Sequence, residues 1–137
     1  MSDLVSWNER GDGFFPGHVG LEITGVEEGE IEARLAVRSH HLAPNGFLHA
    51  GSVITLADTC CGYGTFNDLP PDATGFTTIE LKSSFVGTAL AGDITCVARR
   101  VHRGRTTQVW DAEVASDESG KTIALFRCTQ MVLYPLR

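Results

Sequence analysis

The sequence has little of what a membrane protein, a secreted protein or a nucleic-acid-binding protein requires. No run of roughly 18 apolar residues occurs, which argues against a spanning helix. The first residues do not show the basic and then apolar pattern of a signal peptide. Lys and Arg number 11 against 17 Asp and Glu, so the net charge is −6 and there is no excess of basic residues to hold nucleic acid. We therefore expect no membrane and no nucleic-acid partner.

Cysteine is scarce, and its spacing suits neither a disulfide framework nor a common zinc motif. The four cysteines, at positions 60, 61, 96 and 128, form no CxxC pair. In the absence of an export pattern, reduced thiols and a cytoplasmic location are expected. The 137 residues are 42% hydrophobic and 20% charged, which predicts one domain over 1–137. Residues 1–20 are rich in glycine and are expected to be irregular, with at most one short helix.

Hydrophobic periodicity predicts six strands and one long helix. The strands are expected at 21–26, 30–38, 76–86, 93–103, 106–116 and 121–134, and Ile31, Ala33 and Leu35 show the alternation of a half-buried strand. The helix is expected from about 50 to 66, and Pro70 prevents its resumption. Two strands, one helix and four strands indicate an α+β fold, an antiparallel sheet carrying one apolar helix. One sheet covers only one side of that helix, and a second copy of the chain is the simplest further cover.

A lone carboxylate lies in the middle of the predicted helix. Asp58 is the one Asp, Glu, Lys or Arg between positions 39 and 67. A buried unpaired carboxylate is costly, so Asp58 needs partners or a chemical function. For helical Asp in general, a hydrogen bond to a nearby hydroxyl, here Thr55 or Thr59, or a water-filled groove is the commoner explanation.

The start of the helix offers a second chemical feature. Gly51 is an unfavourable residue there, which suggests that some group approaches the backbone closely. The first amides of a helix have no internal partner and can bind an oxyanion or a polarised carbonyl. Gly51 and Asp58 are seven residues apart, on the same face but roughly 10 Å apart along the axis. If both serve one reaction, they should come from different chains.

The segment from Asn45 to Thr59, NGFLHAGSVITLADT, resembles the acyl-CoA thioesterases of the hotdog fold, especially the phenylacetate-degradation type. That family has a His at the start of its central helix and an acid nine residues later, which is the spacing of His49 and Asp58. The likeness extends over about 40–135, including the turn at 85–93 and the hairpin around Gly104.

The resemblance implies an acyl-CoA thioester hydrolase without cofactor or metal, in which a curled antiparallel sheet wraps one central helix. It implies a homodimer and often a dimer of dimers. The Gly51 amide would polarise the thioester carbonyl, while Asp58 of the partner chain would activate water or attack directly. His49 would order the turn, and Thr78 would lie near the water. The hairpin residues that would contact the coenzyme A nucleotide are Arg103, Gly104, Arg105 and Thr106.

The sequence departs from that family at two positions. Ala50 replaces the first glycine after the His, which should leave the Gly51 amide usable. Ala43 stands where the family often has Asn or Gln, which helps to hold the water. Asn45 is close enough in sequence to replace it.

Other interpretations of these residues remain. A hydratase or dehydratase on the same fold is one, because FFPGHVG resembles the HFPG segment of acyl-carrier-protein dehydratases. The catalytic His of that segment would be Phe14, and no helix with an acid follows it. A non-catalytic acyl-CoA-binding module is another. A metal at His49 and Asp58 lacks a third ligand, and His40 and His41 are expected at the surface.

Further residues have a functional and a structural interpretation. Cys60 or Cys61 could act as a nucleophile with His49, but both lie in the apolar helix, where buried Cys is usually inert. The arginines of 99–105 are either a solvated hairpin or a phosphate clamp. The resemblance favours an aromatic or medium-chain acyl group. The aromatic residues that could line its pocket or belong to the core are Phe47, Tyr63, Phe66, Phe76 and Phe85.

Overall fold

The structure, a computed structural model, describes residues 3–136. Two short helices, α1 (Leu4–Glu9) and α2 (Phe15–Val19), precede strands β1 (Glu22–Glu27) and β2 (Glu30–Ala36). A 3-10 turn (Ser39–His41) and a loop lead to the long helix α3 (Ala50–Asn67). The remaining strands are β3 (Gly75–Phe85), β4 (Asp93–Arg103), β5 (Thr107–Ser116) and β6 (Thr122–Leu133). None of the helices in 3–136 is long and apolar enough to cross a membrane.

The six strands form one antiparallel sheet in the order β1-β2-β4-β5-β6-β3. The alternation predicted for β2 is confirmed, because Ile31, Ala33 and Leu35 are at most 1% exposed and face α3 and the core. Five strands and α3 contribute to that core. The predicted hotdog architecture, a curled sheet around one central helix, is confirmed.

A glycine lets α3 lie directly against the sheet. A Cβ placed on Gly64 would come within 2.4 Å of the ring of Trp110, which projects from β5 and is fully buried. Real Cβ atoms do not approach another atom so closely, so the ring and the helix can pack in this way only with glycine at this position. The contact allows α3 to pack closely on β5.

The N-terminal segment is more ordered than expected, because it contains two short helices, α1 and α2, and packs on α3. The ring of Trp7 lies 5.5 Å from that of Tyr63, and the Arg10 guanidinium lies 4.1 Å from the centre of the Phe66 ring. An aromatic pair and a cation–π contact therefore join the segment to the C-terminal part of the helix. The chain itself supplies part of the cover that the sequence assigned to a second copy.

The two edge strands of the sheet, β1 and β3, differ in whether their outer backbone groups have hydrogen-bond partners. At β1, the side-chain amide of Asn8 accepts a hydrogen bond from the Ile23 N–H (2.8 Å) and donates one to the Ile23 carbonyl (3.0 Å), as a neighbouring strand would. At β3, no strand within 3–136 pairs with the outer edge. Its apolar side chains include Ile79 and Leu81, which are 54% and 39% exposed. A long, exposed, apolar edge is a template for pairing with another chain.

Candidate active site

Asp58 has no partner in the part of the chain that the structure describes. Its carboxylate is half-buried, and its Oδ1 atom is buried without a hydrogen bond. The hydroxyl of Thr55 donates to the Gly51 carbonyl (2.7 Å), so the expected local hydrogen bond to Asp58 is not formed. Burial raises the pKa of Asp58. A buried acceptor without a donor marks a candidate functional group.

The side of α3 that carries Asp58 faces β6 and the exposed strand β3. One turn further along the helix, the thiol of Cys61 hydrogen-bonds to that of Cys128 on β6. Gly62 lies against the ring of Phe76 on β3, 3.3 Å from a Cβ built on the glycine. Residues three and four apart share a helix face, so Asp58 points to this same side. Asp58 therefore lies toward strand β3, the sheet edge with which a second chain could pair.

His49 caps the start of α3. Its Nδ1 atom accepts a hydrogen bond from the Gly51 N–H at 2.7 Å, and a Cβ on Gly51 would lie only 3.0 Å from that nitrogen. The group that approaches the Gly51 backbone is thus the imidazole ring two residues earlier. The geometry agrees with the expectation that His49 orders this turn.

The Gly51 amide, which was predicted to polarise a carbonyl, already has a hydrogen-bond partner inside the chain. That N–H already donates to His49, whereas the N–H of Ala50 has no acceptor among the described residues. Ala50 is exposed and is the first residue of α3, so its free amide carries the positive end of the helix dipole. Ala50 and Asp58 are eight residues apart, about 12 Å along the axis. One carbonyl cannot reach both groups of a single chain.

His41 anchors the start of α3, and its predicted surface position is wrong. It is 3% exposed; its Nδ1 accepts the Arg38 N–H (3.0 Å), and its Nε2 bonds to the Val19 carbonyl (2.7 Å). Its own carbonyl accepts the His49 N–H (3.0 Å) and the Ser52 hydroxyl (2.8 Å). Short-range sequence does not reveal this burial, because the covering residues come from α2.

Asn45 is part of the tight turn before α3. Its Oδ1 accepts the Phe47 N–H at 3.1 Å, and the next residue, Gly46, has φ +89°, in the left-handed region that favours glycine. The Ala43 N–H donates to the Phe47 carbonyl at 2.7 Å and closes the same loop. Asn45 thus has a structural reason for its place, and its catalytic role remains a prediction.

Thr78 lies on β3 beside a buried glutamine that was not among the predicted site residues. Its hydroxyl donates to Oε1 of Gln130 at 2.6 Å. Gln130 is fully buried, and its Nε2 has no partner within 3–136. The signal was present in the alternation of β6, where position 130 shares the inward face with Cys128 and Val132.

The neighbouring glutamine on β5 has a hydrogen-bond partner for both its amide nitrogen and its amide oxygen. Gln108 lies opposite Gln130 in the sheet, donates to the Asp68 carbonyl (3.3 Å) and accepts from Nε1 of Trp110 (2.8 Å). The two buried glutamines therefore differ in how well their amides are satisfied. Gln108 has the hydrogen bonds of a structural residue, whereas Gln130 keeps a free N–H donor near Thr78.

This difference predicts opposite effects on stability. Gln108→Leu should lower the free energy of unfolding by about 1–3 kcal/mol, because two buried groups lose their partners. Gln130→Leu should leave it unchanged or raise it, because an unpaired buried donor disappears and the exposed Thr78 hydroxyl can bond to water. Urea unfolding of both variants measures the contrast, and equal losses would contradict it.

The two arginines of the β4–β5 hairpin form exposed ion pairs. Nη1 of Arg103 lies 3.0 Å from Glu28, and Nη1 of Arg105 lies 3.6 Å from Asp72. The Arg105 guanidinium also stacks 4.6 Å from the centre of the Tyr134 ring. Exposed pairs of this kind contribute at most about 1 kcal/mol. Each guanidinium is therefore held only weakly by its carboxylate.

The other two predicted hairpin residues close the turn through their backbones. The Gly104 N–H donates to the Thr107 carbonyl (2.8 Å), and the Thr106 carbonyl accepts the Val132 N–H (2.9 Å). The hairpin and residues 68–71 border an open groove of about 380 Å³. The structure thus brings 103–105 together at one groove, separate from the start of α3.

The four cysteines are buried and pair as thiols. Cys60 faces Cys96, and Cys61 faces Cys128. The hydrogen bond from the facing thiol, and then burial, raise the pKa of Cys60 and of Cys61 well above the ordinary value. Such thiols are inert, which argues against a cysteine nucleophile.

Comparisons with known proteins show which family shares this sequence and fold. The family model described as thioesterase superfamily matches residues 45–123. The 1,4-dihydroxy-2-naphthoyl-CoA hydrolase of Listeria monocytogenes is 32% identical over 81% of this chain and 89% of that protein. A mutant form of thioesterase PA1618 from Pseudomonas aeruginosa superposes with a TM-score of 0.92 at 26% identity, over 98% of this chain and 96% of that one. The E. coli PaaI protein from the phenylacetic acid degradation operon gives 0.78 at 25% identity, over 86% and 83%.

Proposed function

The chain belongs to the thioesterase superfamily, and on that premise we propose that it hydrolyses an aromatic or medium-chain acyl-CoA to the free acid and CoA. The observation that carries the mechanism is the buried Oδ1 of Asp58, which has no partner among residues 3–136. A carboxylate in this state is a stronger base than a solvated one, because desolvation raises its pKa. Thioester hydrolysis needs such a base, or a nucleophile, together with a donor for the carbonyl.

The proposed reaction uses two groups of the chain. The Ala50 N–H donates to the thioester carbonyl oxygen and stabilises the negative charge that forms on it. Asp58 takes a proton from water as the water oxygen attacks the carbonyl carbon. The C–S bond then breaks, and the proton passes to the leaving sulfur of CoA. Direct attack by the Asp58 carboxylate, which would form an anhydride that water then cleaves, uses the same two groups.

The distance between these groups supports a homodimer with shared sites. About 12 Å along the helix axis separates Ala50 from Asp58 in one chain. Strand β3 offers an open edge with exposed apolar side chains beside the face of α3 that carries Asp58. Pairing of β3 with its copy would satisfy that edge and bring the two α3 helices close together. We infer a dimer, and a dimer of dimers is compatible with it.

The test is incubation with a panel of acyl-CoAs while the free thiol of CoA is measured. Release of thiol with formation of the free acid is the expected result. A product that keeps its thioester but gains or loses water would instead support the dehydratase alternative. Phe14, which stands where a dehydratase would have its His, is 70% exposed. Binding without turnover would support the acyl-CoA-binding module.

The β4–β5 hairpin is proposed to hold the nucleotide end of coenzyme A. Replacing Arg103 and Arg105 together by Ala should raise KM for acyl-CoA at least 10-fold and change kcat little, because phosphate contacts are alike in the ground and transition states. The effect should shrink with an acyl-N-acetylcysteamine thioester, which lacks the nucleotide. Steady-state kinetics on the two substrates measures it.

A charge-matched control separates recognition from net charge. Arg99 and Arg127 also form exposed ion pairs, the first with Glu30 (2.9 Å) and the second, through two hydrogen bonds, with Asp111 (2.5 and 2.9 Å). Their double replacement by Ala removes the same charge outside the 103–105 groove, so KM should stay near its original value. An equal loss in both double variants, or on both substrates, would show that the hairpin acts on folding or on general electrostatics.

A further inference from the structure

An apolar pocket opens beside the first turn of α3. It has a volume of about 320 Å³, within the range of small-molecule sites. The preceding loop, the first turn of α3, the end of β3, the segment after β3 and the start of β6 contribute its walls. The side chains that define it, here called the Phe-lined pocket, are those of Phe47, Leu48, Val53, Phe85, Thr88 and Ile123.

This pocket has a reactive group in its wall. Ala50, whose N–H lacks an acceptor among the described residues, also lines it. A thioester carbonyl bound to that amide would stand at the pocket, and the group attached to the carbonyl would extend along the apolar walls. This step rests on the proposed function, because it takes the ligand to be a thioester.

We propose that the Phe-lined pocket holds the acyl group and selects acyl groups without polar substituents, an unsubstituted aromatic ring above all. Phe47 and Phe85 are the specificity-determining residues. Both are unusually exposed for aromatic side chains, at 50% and 45%, so their faces are available to a ligand. Offset or edge-to-face contact between their rings and an aryl group is the favourable arrangement.

The selectivity against polar acyl groups follows from the side chains that line the Phe-lined pocket. Among the side chains of the pocket, only Thr88 has a hydrogen-bonding group, and none is charged. A ring with two hydroxyls would leave at least one without a side-chain partner. A hydroxyl buried without a partner typically costs about 10–100-fold in affinity or rate. The acyl group should therefore differ in polarity from the dihydroxynaphthoyl group in the name of the Listeria relative.

A second copy of the chain is the other possible occupant, because Phe85 ends the exposed strand β3. The pocket is a concavity closed by the first turn of α3, not the open backbone edge that a paired strand would use. A partner strand along β3 can therefore leave the concavity open to a ligand.

The experiment compares kcat/KM for benzoyl-CoA and 3,5-dihydroxybenzoyl-CoA. These rings differ only in two hydroxyls that cannot bond to the thioester carbonyl of the same molecule. The full chain should prefer benzoyl-CoA at least 10-fold. Phe85→His keeps a flat ring but adds a donor and an acceptor, and it should reduce the preference to about 3-fold or less. Phe14→His, an exposed position outside this pocket, should keep the original preference.

The outcomes separate the two proposals. Hydrolysis of no thioester would overturn the proposed function. Hydrolysis of both substrates at equal kcat/KM would leave the function intact and overturn the pocket assignment. Equal losses on both substrates in Phe85→His, with a change of oligomeric state by light scattering, would show that Phe85 serves the contact between copies and would also overturn it.

Discussion

Asp58→Asn is expected to lower kcat by about 10²–10⁴-fold, the usual contribution of a positioned acid or base. The substitution keeps the shape of the side chain and removes its charge and basicity. KM should change little, because the role proposed for Asp58 concerns the water or the carbonyl carbon and not substrate binding. Kinetics on the best substrate of the acyl-CoA panel measures the loss. Near-normal turnover per folded molecule would contradict a catalytic role.

The pH dependence of the unmodified enzyme should report the same group. Asp58 must be ionised to act as a base or nucleophile, and burial raises its pKa. Activity should therefore rise with pH, with the midpoint of the acid limb above the ordinary Asp pKa of about 4. In Asp58→Asn the residual activity should lack this limb. A midpoint at or below the ordinary value would contradict the assignment.

The same substitution should also stabilise the folded chain, with a defined pH dependence. Because the folded state raises the pKa of Asp58, it disfavours the charged form relative to the unfolded state. The contribution of the carboxyl to stability is fully present below the ordinary pKa of about 4 and is lost as pH rises through the raised pKa. Asn does not titrate, so its gain should be largest at neutral pH and disappear in acid. Urea unfolding across that range measures it.

Asp68 provides the matched control for this argument. It follows α3 directly, and its buried carboxylate accepts hydrogen bonds from the Gly29 N–H (2.9 Å) and from Arg100. Asp68→Asn should therefore destabilise the chain, by on the order of 1–3 kcal/mol, because Arg100 loses the nearer and buried one of its two charged partners. Asp58→Asn is thus expected to raise the free energy of unfolding, and Asp68→Asn to lower it. A loss of stability in both would mean that Asp58 is a structural residue.

Local patterns in the sequence were enough to locate the six strands and the long helix α3, but not the short helices α1 and α2. Alternation at Ile31, Ala33 and Leu35 predicted β2, and an almost uncharged apolar stretch predicted α3. The strand order did not follow from such patterns. That β3 lies at the edge next to β6, and not beside β4, depends on pairing between distant segments. The contacts of α1 with α3 were missed for the same reason, because they join residues more than 50 positions apart.

The candidate site was predictable in its residue types but not in its hydrogen bonds. The isolation of Asp58 in sequence pointed to its lack of partners in the structure. Which amide of the first turn is free could not be predicted, because the answer depends on the direction of the His49 ring. The packing that buries His41 and leaves Gln130 half-satisfied is likewise set by residues from other elements.

A second large loss of kcat is expected when the free backbone N–H of Ala50 is removed. Ala50→Pro removes one backbone N–H and should leave the helix intact, since proline is favoured at the first helical position. The preceding residue, His49, has φ −69° and ψ 135°, an extended conformation that suits a residue before proline. Loss of a single oxyanion donor is expected to lower kcat by about 10²–10³-fold. Ala50→Gly keeps the N–H and should retain activity, and circular dichroism of both variants checks the helix.

Mixing two inactive variants tests whether the site is shared. If Ala50 of one chain and Asp58 of its partner form each site, a dimer of one Ala50→Pro chain and one Asp58→Asn chain contains one intact site and one site with both changes. Random exchange places half of the molecules in such mixed dimers, so activity should recover to about a quarter of the unmodified level. Each variant alone should stay inactive, and light scattering should show dimers or larger species throughout. Differently tagged chains that co-purify without any recovery of activity would overturn the shared site and the assignment of Ala50 and Asp58 to one reaction.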